Sequence, residues 1–177
     1  MSNNSVFDSA IELPDAQLND REKVLLGFTG RYERVQNQLQ LLLNQGQLSE
    51  WSKEHHKSVL PICNLVADQY PLVIFHGDVG TGKTATAECI ANRIVSDSRA
   101  EDSLLYKLSN RVRGSGKVGE MGTLLTQAFA EVIEAAGKKR RAILIIDEGD
   151  SIAASRSQSQ SHHEDKGLFA FKGVEKI

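Results

Sequence analysis

Hydrophobic residues follow one rhythm in the first third of the chain and another in the rest. Between Arg21 and about Leu48, Tyr32, Val35, Leu39, Leu42 and Leu43 recur at near-helical spacing and mark one face of a helix, with Gly46 as its expected stop. A second helix is expected over Glu50–Asp68, kinked or broken at Pro61, whose ring removes a backbone donor. From residue 71 the pattern changes. PLVIF (71–75) is a short continuous apolar run and reads as a buried parallel strand. Ala87, Ile90, Ala91 and Ile94 then fall on one helical face. LLYKL (104–108) is a second strand candidate. Leu124, Leu125, Ala128, Phe129, Val132, Ile133 and Ala136 mark a helix ending near Gly137, and AILII (142–146) is a third buried strand. This alternation predicts an α/β fold: a parallel sheet with flanking helices.

The remaining stretches lack such rhythm. Residues 1–20 are polar and mixed and are expected to form a flexible tail, followed by an N-terminal helical segment over 21–68 and a core over 69–177. Within that core, RGSGKVGEMG (113–122) is a glycine-rich connection, SRSQSQS belongs to a low-complexity loop near 155–166, and GLFAF, starting at Gly167, is a short strand candidate.

Composition narrows the function classes. A net charge of −2 over 177 residues supplies no basic stripe, so nucleic acid is not the expected partner. The run Lys138-Lys139-Arg140-Arg141 reads as a solvated turn before a strand. Cys63 and Cys89 stand far apart and in no C-x-x-C pattern, as reduced thiols of a cytoplasmic protein do. No signal peptide is legible in MSNNSVFDSAIELPD, and the apolar runs are about a quarter of a membrane span. His55-His56 and His162-His163 lack a third ligand at useful spacing and read as solvated. Trp51 reads as an anchor for the N-terminal helices.

The chemistry is concentrated in FHGDVGTGKTA. Gly77-Asp78-Val79-Gly80-Thr81-Gly82-Lys83-Thr84 fits G-x-x-x-x-G-K-[ST] between a strand and a helix, and Ala85 continues into that helix. Glycines admit backbone angles closed to other residues. Successive amides can then point inward as an anion nest, reinforced by the helix N-terminus. Lys83 would reach the β- and γ-phosphates, and the Thr84 hydroxyl would bind Mg²⁺. A dinucleotide fingerprint fails on spacing, because Ala85 stands where the third glycine belongs. The second half of the site follows AILII. Asp147 lies at the C-terminal tip of a buried strand, placed to hold Mg²⁺, and Glu148 is placed to act on the attacking water as a general base.

GDVGTGKT followed by IIDEGDSIAASR resembles the Walker A and Walker B regions of the AAA+ ATPases. GSGKVGEMGTLLTQAF (114–129) resembles the family's first pore-loop segment, and together with DEGDSIAASRSQS it is most similar to the pachytene-checkpoint, HORMA-remodelling branch; the resemblance covers roughly residues 70–166. The resemblance implies ATP and Mg²⁺ as cofactors, a homo-hexameric ring in full-length members, and a protein substrate of HORMA type. It assigns Gly77 to Ala85 to nucleotide binding, Thr84 and Asp147 to the metal, Glu148 and Lys83 to catalysis, and Lys117, Val118 and Gly119 to the pore. A gripping aromatic is absent at that pore position.

The family pattern stops early. A sensor strand, an arginine finger and a helical lid should follow Walker B, yet no arginine follows Arg156. The chain therefore looks truncated after Walker B, or frameshifted, and weak turnover is expected of it alone. Only GLFAF is available to fill the sheet position between the P-loop strand and the Walker B strand. Two other readings stand beside the ATPase: a nucleotide-gated binding module without turnover, and a DNA-associated AAA+ loader. The adenine-contacting residues are not legible.

Overall fold

The structure, a computed structural model, describes residues 6–43, 45–67, 71–98, 103–109, 118–137, 140–147 and 166–172. Its elements are β1 (Phe7–Leu13), α1 (Ala16–Val24), α2 (Phe28–Leu43), α3 (Gln45–His56), α4 (Pro61–Ala67), β2 (Leu72–His76), α5 (Lys83–Asp97), β3 (Ser103–Leu108), α6 (Val118–Ala136), β4 (Ala142–Ile146) and β5 (Lys166–Lys172).

The strands form one sheet in the order β1-β3-β4-β5-β2. β4 is buried along its whole length, as its unbroken apolar run requires. Ile143 and Ile145 join a core with residues of α1, α2 and α5 on one face of the sheet. Ala142, Leu144 and Ile146 join the second core, beneath α6, on the other. Helix α2 lays Phe28, Tyr32, Val35 and Leu39 into the first core, a stripe of helical period.

The sheet is mixed, not parallel throughout. β3 and β4 are parallel, but β1 runs antiparallel to β3, and β5 runs antiparallel to both β4 and β2. GLFAF thus fills the expected slot in the opposite direction. The register gives the reason. Leu168 pairs with Ile146 and Lys166 with His76, so β5 enters the sheet at the edge where β4 leaves it. A parallel strand would need a crossover back to the far edge.

Three further expectations change. Residues 7–13, expected within a flexible tail, form the edge strand β1, and Asp15 caps α1 by accepting a hydrogen bond from the Leu18 amide at 2.9 Å. The helical break falls at Gly27 (φ +66°), a backbone conformation suited to glycine, whereas Gly46 lies within α3. PLVIF is only half-buried: Leu72 and Ile74 are 48% and 52% exposed, because β2 is the edge strand among the described residues and the second core lies over β3 and β4. Pro61 does break the second helix, opening α4, where its missing N–H costs nothing. Trp51, expected to anchor the N-terminal helices, is about half-exposed and stacks on His55 at 4.8 Å. Of the loop expected near 155–166, residues 155–165 lie outside the described residues, as do Lys138-Lys139, and Lys166 opens β5.

The N-terminal elements are fastened to α5 by polar contacts. Fully buried Asn92 accepts from the Asp15 amide at 2.7 Å and donates to the Asn19 Oδ1 at 2.7 Å and the Asp15 carbonyl at 3.3 Å. Arg21 and Lys107 both reach Glu88, at 2.6 and 3.4 Å. Arg93 pairs with Glu22 at 2.8 Å and Asp97 at 3.2 Å, and the Tyr32 hydroxyl donates to Asp97.

Cys63 and Cys89 are free and buried. Burial pushes the Cys89 thiol up from 9.0 to about 11, with Arg21 opposing the shift. Burial, then the hydrogen bond to Asp97, also raises Tyr32 above its ordinary 10.0. Both groups hold their protons more tightly folded than unfolded. Their contribution is therefore whole below the unfolded values and is lost as pH rises from there through the higher folded ones. The urea midpoint should fall between about pH 8 and about pH 10.5, and a midpoint that rose would contradict this sign.

Candidate functional site

β2 and β4 point the same way on either side of β5. The loops leaving their C-terminal ends therefore emerge at one edge, two strand spacings or about 10 Å apart. Open α/β sheets bind ligands at such an edge.

The loop after β2 is built by its glycines. Gly77, Gly80 and Gly82 take φ of +147°, +80° and +79°, values that any side chain opposes. Gly82 is the N-cap of α5, and no side chain caps that helix end. Its first amides thus have no side-chain acceptor and favour an anion. Asp78, Val79, Gly80 and Thr81 are exposed, while Lys83, Thr84 and Ala85 are partly buried. Thr81 braces the loop, its hydroxyl donating to the Asp78 carbonyl at 2.9 Å. Lys83 Nζ folds back over the loop and donates to the carbonyls of Gly77 and Asp78, both at 2.8 Å. A lysine satisfied only by neutral carbonyls on an exposed loop can exchange them for phosphate oxygens at little cost.

The two motifs meet directly. Thr84 Oγ1 donates to Asp147 Oδ2 at 2.9 Å, across 63 residues of sequence. A hydroxyl and a carboxylate side by side are hard oxygen donors suited to Mg²⁺. Among the described residues no three His, Cys, Asp or Glu side chains gather as metal ligands. A Mg²⁺ bound here would take its other ligands from phosphate and water, as this ion commonly does.

Of the remaining site candidates, Glu148 and Lys117 lie outside the described residues. Val118 and Gly119 open α6.

A second group of residues escapes motif reading. The turn between α1 and α2 touches the phosphate loop: Leu25 Cδ2 lies 3.9 Å from where a Cβ on Gly82 would stand. Its neighbours Val24 and Leu26 are 77% and 88% exposed. Arg31 Nη1 donates to Thr86 Oγ1 at 2.9 Å, and Nη2 donates to the Leu26 carbonyl. The only sequence signal was the Leu25-Leu26-Gly27 interruption of a helical stretch.

Fold and site together define a P-loop nucleotide-binding protein: a glycine loop between strand and helix, facing an acidic strand tip. Residues 73–171 match the ATPase family associated with various cellular activities (AAA), and the chain belongs to that family. It is 80% identical over 166 residues to CD-NTase-associated protein 6 of Escherichia coli strain KTE188, covering 94% of this chain and 56% of that protein. A CD-NTase-associated protein 6 of E. coli strain MS 115-1 is 39% identical over 182 residues, covering 97% and 58%. Among solved structures, a chain of the E. coli MS115-1 HORMA:CdnC:Trip13 complex superposes with a TM-score of 0.73 at 37% identity, covering 92% of this chain and 55% of that one. Rhizobiales Trip13 superposes with a TM-score of 0.58 at 27% identity, covering 84% and 53%. The chain thus spans little more than half the length of these relatives.

Proposed function

We propose that the chain binds Mg²⁺–ATP and hydrolyses it as the ATPase module of a remodelling machine for HORMA-like proteins. The observation that carries this reading is the 2.9 Å hydrogen bond between Thr84 and Asp147, which joins the phosphate loop to the acidic strand tip. Loop amides of residues 77–85 would hold the triphosphate, and Lys83, now on the Gly77 and Asp78 carbonyls, would bind the terminal phosphates. Thr84 and Asp147 would hold the Mg²⁺, which would supply charge neutralisation on the phosphates. Glu148 would take the proton of the attacking water. The exposed apolar side chains of Val24 and Leu26, beside the Leu25–Gly82 contact, offer the nucleoside a wall. Full-length assembly into a hexameric ring, with Lys117, Val118 and Gly119 toward a central pore, belongs to the same reading.

The HORMA assignment draws support from similarity to a protein solved in a HORMA:CdnC:Trip13 complex. The test is the Glu148→Gln variant of the purified chain, assayed for phosphate release and for ATP retained after rapid gel filtration. ATP should stay bound and turnover, where measurable in the parent chain, should fall by 10²-fold or more, in the range general-base removal produces, roughly 10²–10⁴. Equal ATP retention in both proteins, with no phosphate release from either, would instead support a binding module without turnover.

A further inference from the structure

Arg31 stands apart from the other arginines near α5. Arg21 and Arg93 each pair with carboxylates, whereas the hydrogen-bond partners of Arg31 are a hydroxyl and a carbonyl, Thr86 Oγ1 and the Leu26 oxygen. These acceptors sit on different elements. Thr86 is fully buried in α5, two residues beyond Thr84. Leu26 belongs to the turn between α1 and α2, which Gly27 makes possible with its positive φ. A guanidinium presents donors in a rigid planar fork, so it fixes the spacing of two acceptors in a way an ammonium does not. The distance it fixes here is that between the turn and the helix behind the phosphate loop. The Leu25 side chain lies in the same joint, against Gly82.

We propose that Arg31 is a positioning residue for nucleoside recognition: by clamping the Leu25–Gly27 turn to Thr86, it holds the apolar wall of Val24 and Leu26 against the phosphate loop. Arg31 does not touch the phosphates in this arrangement. Its loss therefore weakens ligands that carry a base and spares those that carry phosphates alone. This inference rests on the ATP reading of the loop.

The experiment is calorimetric titration of the whole chain, with Mg²⁺ present, by ATP and by inorganic tripolyphosphate. Arg31→Ala should weaken ATP binding about tenfold, the size expected for losing a charged hydrogen-bonding group that orders a binding surface. Tripolyphosphate binding should stay within about twofold of the parent, since its contacts remain. Arg31→Lys should resemble Arg31→Ala, because one ammonium does not reproduce the fork. Thr86→Val, which removes one anchor and keeps the shape, should shift ATP affinity in the same direction while leaving tripolyphosphate alone. Equal losses for the two ligands would make Arg31 a general stabiliser of the fold and overturn the proposal. So would unchanged ATP affinity in Arg31→Ala. A parent chain that bound tripolyphosphate no better than Lys83→Ala does would instead bring down the phosphate reading itself, and this inference with it.

Discussion

Lys83→Ala should raise the dissociation constant for Mg²⁺–ATP by roughly 100-fold, corresponding to about 3 kcal/mol. Lys83 Nζ now holds two loop carbonyls at 2.8 Å, and each charge-assisted contact that it would make to phosphate is worth about 1.5–3 kcal/mol. Alanine removes the charge and leaves the amide nest in place, so residual binding should persist. The fold should survive, because Asp78 and the loop around it are exposed and none of the lysine contacts reaches the core. Titration with a fluorescent ATP analogue measures the first effect, and far-UV circular dichroism checks the second. An affinity within a few-fold of the parent, in a folded variant, would falsify the assignment of this loop to the triphosphate.

The second large effect concerns stability. Asn92→Ala should destabilise the chain by about 3 kcal/mol, since one substitution takes a partner from the Asp15 amide and the Asn19 side chain and leaves the Asp15 carbonyl only the Asn19 amide, and an unmet polar group costs about 1–3 kcal/mol when buried. All three contacts are partly buried, and Asn92 itself is fully so. For a chain of this size that corresponds to a fall in Tm of about 6–12 °C. Asn92→Asp is no rescue. It keeps the acceptor for the Asp15 amide but turns a carboxylate toward the Asn19 Oδ1 and the Asp15 carbonyl. Thermal unfolding followed at 222 nm gives the answer, with exposed Lys53→Ala as a neutral control. A Tm within about 2 °C of the parent would mean that water replaces the asparagine and that the N-terminal unit is not fastened there.

What the sequence disclosed depends on how local the cause was. The glycine loop between β2 and α5 and the position of Asp147 at a strand tip could be anticipated because each is a short local run beside an apolar strand. β4 was legible because five apolar residues in a row suit a strand covered on both faces. The edge strand β1 was missed although Phe7–Leu13 alternates in burial. Its apolar signal is diluted by Asp8, Ser9 and Glu12, and its partner lies about a hundred residues away in β3. The direction of β5 could not be read at all, since an apolar pentapeptide pairs either way and the choice is made by where the chain enters the sheet. Asn92 and Arg31 were equally opaque. Each is an ordinary helical residue until the fold brings another element's backbone within reach.

The position of β5 also sets an order of assembly. It is the last of the described elements, yet it lies inside the sheet, between the strand that launches the glycine loop and the strand that ends just before Asp147. During synthesis those two strands exist first, with a strand-wide gap between them and no backbone ladder to set their spacing. Closing that gap joins residues about ninety positions apart, the kind of long-range pairing that slows folding. A nascent chain halted before residue 166 would carry both halves of the proposed nucleotide site without the strand that sets them in register, so competence toward ATP would wait for β5.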